Sequence, residues 1–172
     1  KNYPAALESG KWLSQKLGPV QSIQIMLGFV HMMDSDYIKA RQRFEVAEPR
    51  YWNRASWRGA IEKDSGLGCT IATTMLHTGD EEMARDLLRV VINYLETELP
   101  NYVDDADRFN YAGCYAAAGD YEKALDAFEV SVDHGHYTYW WAWTKLPAFE
   151  PLRGNPRWEA GLAKIQERNA QQ

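Results

Sequence analysis

The chain has two cysteines, no long apolar run, no surplus of positive charge and no glycine-rich phosphate loop. Nineteen Lys and Arg stand against 24 Asp and Glu, giving a net charge of −5 and a pI near 5.4. That balance exerts no general pull on nucleic acid, so no nucleic-acid contact is expected of this segment. No apolar stretch reaches the roughly 18 residues of a spanning helix, so no membrane insertion is expected either. The most apolar stretch, Val20 to Met33, contains Gln21, Gln24 and His31 and reads as a buried helix. Cys69 and Cys114 read as small buried residues. A disulfide would need their backbones within about 7 Å, which the sequence leaves open, together with the redox compartment.

Reactive constellations are missing too. No nucleophile elbow or zinc-protease motif is present. Asp133-His134-Gly135-His136 could chelate through two imidazoles but lacks a four-ligand pattern. Asp104, Asp105 and Asp107, with Glu96 and Glu98, stand near a helix start, where capping and the helix dipole account for carboxylates. The expectation is a non-enzyme, with no catalytic residue, no metal site and no cofactor. A hydrophobic share of 45% and a charged share of 25% fit a folded domain or a short solenoid.

What the chain does have is a repeated turn. In Gly119-Asp120-Tyr121-Glu122-Lys123-Ala124-Leu125-Asp126-Ala127-Phe128, Gly119 can end one helix and Asp120 can cap the next. Ala124 and Phe128 then share a face. The same form returns at Asn2 to Leu7, Asp36 to Arg41 and Asp80 to Arg85. Its alanines, Ala6, Ala40, Ala84 and Ala124, lie roughly 34, 44 and 40 residues apart, within the range of helical repeats. Gly28, Ala72 and Ala112 supply the matching small residue of each preceding helix, as a close helix crossing requires. Phe44, Leu88 and Phe128 supply the large one.

This pattern resembles a divergent tetratricopeptide repeat, over roughly residues 2 to 135. The match is best around Leu27, Gly28, Ala40, Phe44 and Ala47, and around Tyr115, Gly119, Ala124 and Phe128. It departs in the middle unit, where Met75 and Leu88 stand at aromatic positions. The resemblance implies an all-α, right-handed α-solenoid of antiparallel helix pairs with a C-terminal capping helix. The expected parts are a half repeat (1–19), a repeat (20–49), an insert (50–64), two repeats (65–100 and 104–136) and an aromatic-rich cap (137–172). Because the chain opens at Lys1 inside a unit, it is expected to be a piece of a longer protein.

In this family the first helix of each unit lines a concave face. Carried over by position, that face holds Ile25, Phe29, Met32 and Met33, then Cys69, Thr73, Leu76 and His77, then Phe109. Gly113, Ala116 and Ala117 complete it. The Lys and Asn that clamp a terminal carboxylate in chaperone-binding members are replaced by Ile25, Phe29, Cys69, Thr73, Phe109 and Gly113. The lining is apolar and Met-rich, suited to an apolar helix or extended segment. The insert, with Trp52 and Trp57, reads as packing over a repeat junction, and alternatively as an exposed interface. Trp140, Trp141 and Trp143, Phe149 and Trp158 read as a lid over the end of the solenoid, which otherwise stays open.

The run Phe149 to Trp158 resembles the endings of repeat regions in multidomain bacterial signalling proteins. The functional expectation is a protein-protein interaction scaffold of a signalling or regulatory protein, whose partner is a peptide or another domain of the same chain. The alternative is self-association as a homodimer. The compartment stays open: the cytoplasm is favoured, and the periplasm is the alternative if the parent is a membrane-anchored regulator.

Overall fold

The computed structural model describes residues 3–18, 20–98, 105–135 and 140–170, with side chains for all of these except 3, 105–108 and 141. Ten α-helices run through the described residues: α1 Tyr3–Leu17, α2 Gln21–Met33, α3 Tyr37–Ala47, α4 Trp57–Lys63, α5 Ser65–His77, α6 Glu81–Glu98, α7 Asp105–Ala118, α8 Tyr121–His134, α9 Trp140–Trp143 and α10 Pro156–Ala170. Short 3-10 helices cover Pro49–Trp52, Arg54–Ser56 and Pro147–Leu152. The fold is all-α, as expected. No helix among the described residues is long and apolar enough to cross a membrane.

The turns are built as the repeated motif requires. Asp36 accepts from the Lys39 amide at 3.2 Å and Asp120 from the Lys123 amide at 3.3 Å, each closing an exposed helix start. Asp80 does a different job: its carboxylate meets the Arg41 guanidinium at 2.6 Å and ties α3 to α6. Gly79 and Gly119 adopt φ of 90° and 84° just before the new helix. In the α2–α3 turn that position is Ser35, with φ 61°. A Cβ in the left-handed region costs energy that glycine avoids. Ser35→Gly should therefore raise stability by about 0.5–1 kcal/mol in urea unfolding.

The small and large residues pack in pairs. Ala40, Ala72, Ala84, Ala112 and Ala124 are all fully buried, and so are Phe44 and Phe128. A Cβ on Gly28 would stand 2.4 Å from the Phe44 ring, so only glycine lets α2 approach α3 this closely. α10 repeats the device: a Cβ on Gly161 would stand the same 2.4 Å from the Phe128 ring.

The segment between α3 and α5 is a packed plug. Tyr51 is fully buried, and its hydroxyl donates to the carbonyls of Ala60, at 3.1 Å, and Asp64. Burial pushes its pKa well above the ordinary tyrosine range. The Trp57 indole donates to the Tyr51 carbonyl at 2.7 Å, and Arg54 lies over the Trp57 ring. Buried Glu48 collects Arg50 at 2.6 Å, Gln21 at 3.1 Å and Lys63 at 3.4 Å. The Arg50 hydrogen bond holds its carboxyl below the usual range. Glu48 thus binds the end of α3 to the start of α2 and to α4.

Candidate interaction groove

Three helices make the floor. The Thr74 hydroxyl of α5 reaches the Met32 sulfur of α2 at 3.4 Å. Cys69 of α5 and Cys114 of α7 are joined by a disulfide, with Cα atoms 5.1 Å apart. Earlier along both helices, a Cβ on Gly66 would touch the Asn110 side chain, so α5 and α7 run in the same direction. The cysteines are buried as expected but are not independent small residues; they form a covalent link between two groove helices. Sequence distance hid this, since 45 residues separate them.

The groove is filled from its own chain. The segment from α9 through Pro147–Leu152 crosses it as a strap. Trp143 meets Phe29 edge-on, with ring centroids 4.9 Å apart, and Phe149 meets Phe109 at 5.3 Å. Phe149 also covers Gly113, where a Cβ would lie 3.5 Å from the ring. Met32, Cys69 and Thr73 lie on the floor beneath Trp143, Leu146 and Phe149, leaving a narrow slot of about 30 Å³, enough for a single water.

The expected face residues therefore fall into distinct places. Met32, Cys69 and Thr73 are buried in the floor; Thr73 returns its hydroxyl to the Cys69 carbonyl at 2.9 Å. Phe29, Met33 and Phe109 are half-buried and pack with the strap and α8. Ile25 and Leu76 are half-buried against the core of α2 to α7. His77 is exposed at the end of α5, stacked on Tyr37 with centroids 4.0 Å apart. In the insert, Trp57 is buried and hydrogen-bonded, and Trp52 is half-buried with its indole nitrogen unpartnered.

Sequence reasoning assigned most of the aromatic tail to a lid over the end of the helical array. The structure divides it. Trp158 does cover the end, its ring 4.2 Å from Phe128, and α10 is held there by Arg157 to Glu122, Asp126 and Glu129 and by Lys164 to Asp133. Trp143, Leu146 and Phe149 instead enter the groove. The signal that could have found them is a three-residue spacing of large apolar residues, Trp140, Trp143, Leu146, Phe149 and Leu152.

Among the described residues, no three or more His, Cys, Asp and Glu gather where a metal could bind. His136 and Asp104 lie outside the described residues, as do the side chains of Asp105 and Asp107. One buried titratable group stands nearby: His31, whose two ring nitrogens have no hydrogen-bond partner. Desolvation lowers its pKa, opposed by Asp36 and reinforced by Arg43, Lys39 and Lys11. Below its ordinary value of 6.5, the unfolded chain takes a proton that the folded chain resists. Stability should therefore fall as pH drops from 7 toward 5. His31→Leu should flatten that slope, measured as the difference between urea midpoints at the two pH values. The part that remains includes His77, whose pKa is lowered by partial desolvation of its ring, with Glu150 opposing.

Compared with family models, with curated proteins and with solved structures, the chain finds no match.

Proposed function

We propose that this chain is a non-catalytic, tetratricopeptide-like interaction module, a right-handed α-solenoid that holds a peptide or a neighbouring domain in the groove of α2, α5 and α7. The chain's own strap occludes the groove, which counts against an open binding face. What supports the reading is that the groove accepts an apolar polypeptide segment, held through Phe29, Phe109 and Gly113. The parallel course of α5 and α7, and the capped turns inside the helix pairs, support the repeat architecture. The likeness of Phe149 to Trp158 to the endings of bacterial repeat regions supports a role in a signalling or regulatory protein. The buried Cys69–Cys114 bond favours an oxidising compartment over the cytoplasm.

The test is selection of short peptides displayed on phage against the intact chain. A counter-selection uses Asn110→Arg, which puts a cation on an exposed residue at the groove edge. Peptides that bind the chain and lose the variant support the reading. No enriched peptide, or peptides indifferent to the variant, would end it. The second reading, self-association, draws on exposed Trp12, Leu17 and Met26 near the first two helices. A single mass by light scattering over a wide concentration range would remove it.

A further inference from the structure

We infer that the strap is a resident, displaceable occupant of the groove, and that the partner is a polypeptide segment carrying bulky apolar side chains at every third residue. This rests on reading the groove as an interaction surface and specifies what enters it. The strap displays the rule. Trp143, Leu146, Phe149 and Leu152 recur at one spacing. Amides of Leu146 and Phe149 donate three residues back, to Trp143 and Leu146, at 3.0 and 3.1 Å. Two successive three-residue turns, joined at an extended Leu146, bring Trp143, Leu146 and Phe149 to the same slot. The slot can accept them because Gly66, Thr70, Thr73 and Gly113 leave room for large rings beside the bulkier Met32 and Phe109.

The hold is uneven along the strap, and this is why displacement can begin at one end. Phe149 and Leu152 are fully buried, and Phe149 stacks 5.0 Å from Trp158. Trp140 and Trp143 are only half-buried. At that end the Trp143 ring meets Phe29 of α2 edge-on above the slot floor. A competing segment can take that end first and advance toward Phe149. Its apparent affinity is reduced by the fraction of molecules in which the strap is seated.

The experiment uses the whole chain and a labelled synthetic peptide of residues 140–152, read by fluorescence anisotropy. Trp143→Ala loosens the half-buried end without emptying the core. The peptide should bind that variant at least about tenfold more tightly than the unaltered chain. A peptide of the same composition with its apolar residues four apart should not bind. Equal binding of the two peptides, or none by a variant that unfolds cooperatively at a normal midpoint, would overturn the inference.

Hydrogen exchange of the unaltered chain supplies a check that needs no variant. Amides of Thr144, Leu146 and Phe149 should exchange by local opening, well before those of Ile71 and Met75 in α5. Exchange of both sets only by global unfolding would make the strap fixed core and overturn displacement. The two readings separate cleanly. Phage selection that yields groove ligands without the three-residue spacing defeats this inference and leaves the interaction module standing. Selection that yields none defeats the module itself.

Discussion

Replacing both cysteines, as Cys69→Ala with Cys114→Ala, should lower stability by about 4 kcal/mol in urea unfolding at pH 7. The bond closes a loop of 45 residues, and chain-entropy reasoning assigns a loop of that length a cost of this size in the unfolded state. Both half-cystines are buried, so lost packing at the α5–α7 junction adds to the effect. The unaltered protein kept in strong reductant without denaturant should lose far less over short times, because neither sulfur is open to attack. A loss below about 1 kcal/mol on double substitution would mean that packing alone holds α5 against α7. The floor of the groove would then owe nothing to oxidation.

Trp158→Ala should cost about 3–5 kcal/mol, the range for emptying a large aromatic from a core. Trp158 is fully buried, and its ring packs against both Phe128 of α8 and Phe149 of the strap. Its loss removes contacts from the end of the stack and from the groove occupant together. The unfolding transition should also broaden, since α10 and the strap can detach before the helix pairs melt. Trp12→Ala is the control: the ring is 58% exposed, and a change within about 0.5 kcal/mol is expected. If Trp158→Ala proved as mild as the control, α10 would be held chiefly by its ion pairs. Raising the salt concentration should then release it.

Much of the helical order was legible because it rests on local rules. Asp36 and Asp120 cap where a short oxygen-bearing side chain must, and Pro156 opens α10 where proline lacks nothing. The buried alanines were legible because close helix crossing leaves few residue types. The disulfide was not, since it depends on a meeting of two side chains that no local rule fixes. The strap was misread for a different reason. Trp143, Phe149 and Trp158 all read as apolar bulk in need of cover, and composition does not say which surface each will cover. Geometry decided it: Phe149 bridges Phe109 and Trp158, so one ring serves both the groove and the end. Trp57 could be read as buried or exposed until its indole found the Tyr51 carbonyl.

The glycine-over-ring contact has a consequence for modularity. Gly28 sits over Phe44 inside a helix pair, and Gly161 sits over Phe128 where the last pair meets α10. The terminal helix thus engages the pair before it with the same lock that joins two helices of one pair. On the solenoid reading proposed above, a capping helix made this way would read only the ring in front of it, not the number of units behind. The segment carrying Phe149, Trp158 and Gly161 should therefore be portable. Moved behind another helix pair that ends in a suitably placed phenylalanine, it would close that array at whatever length the array had reached.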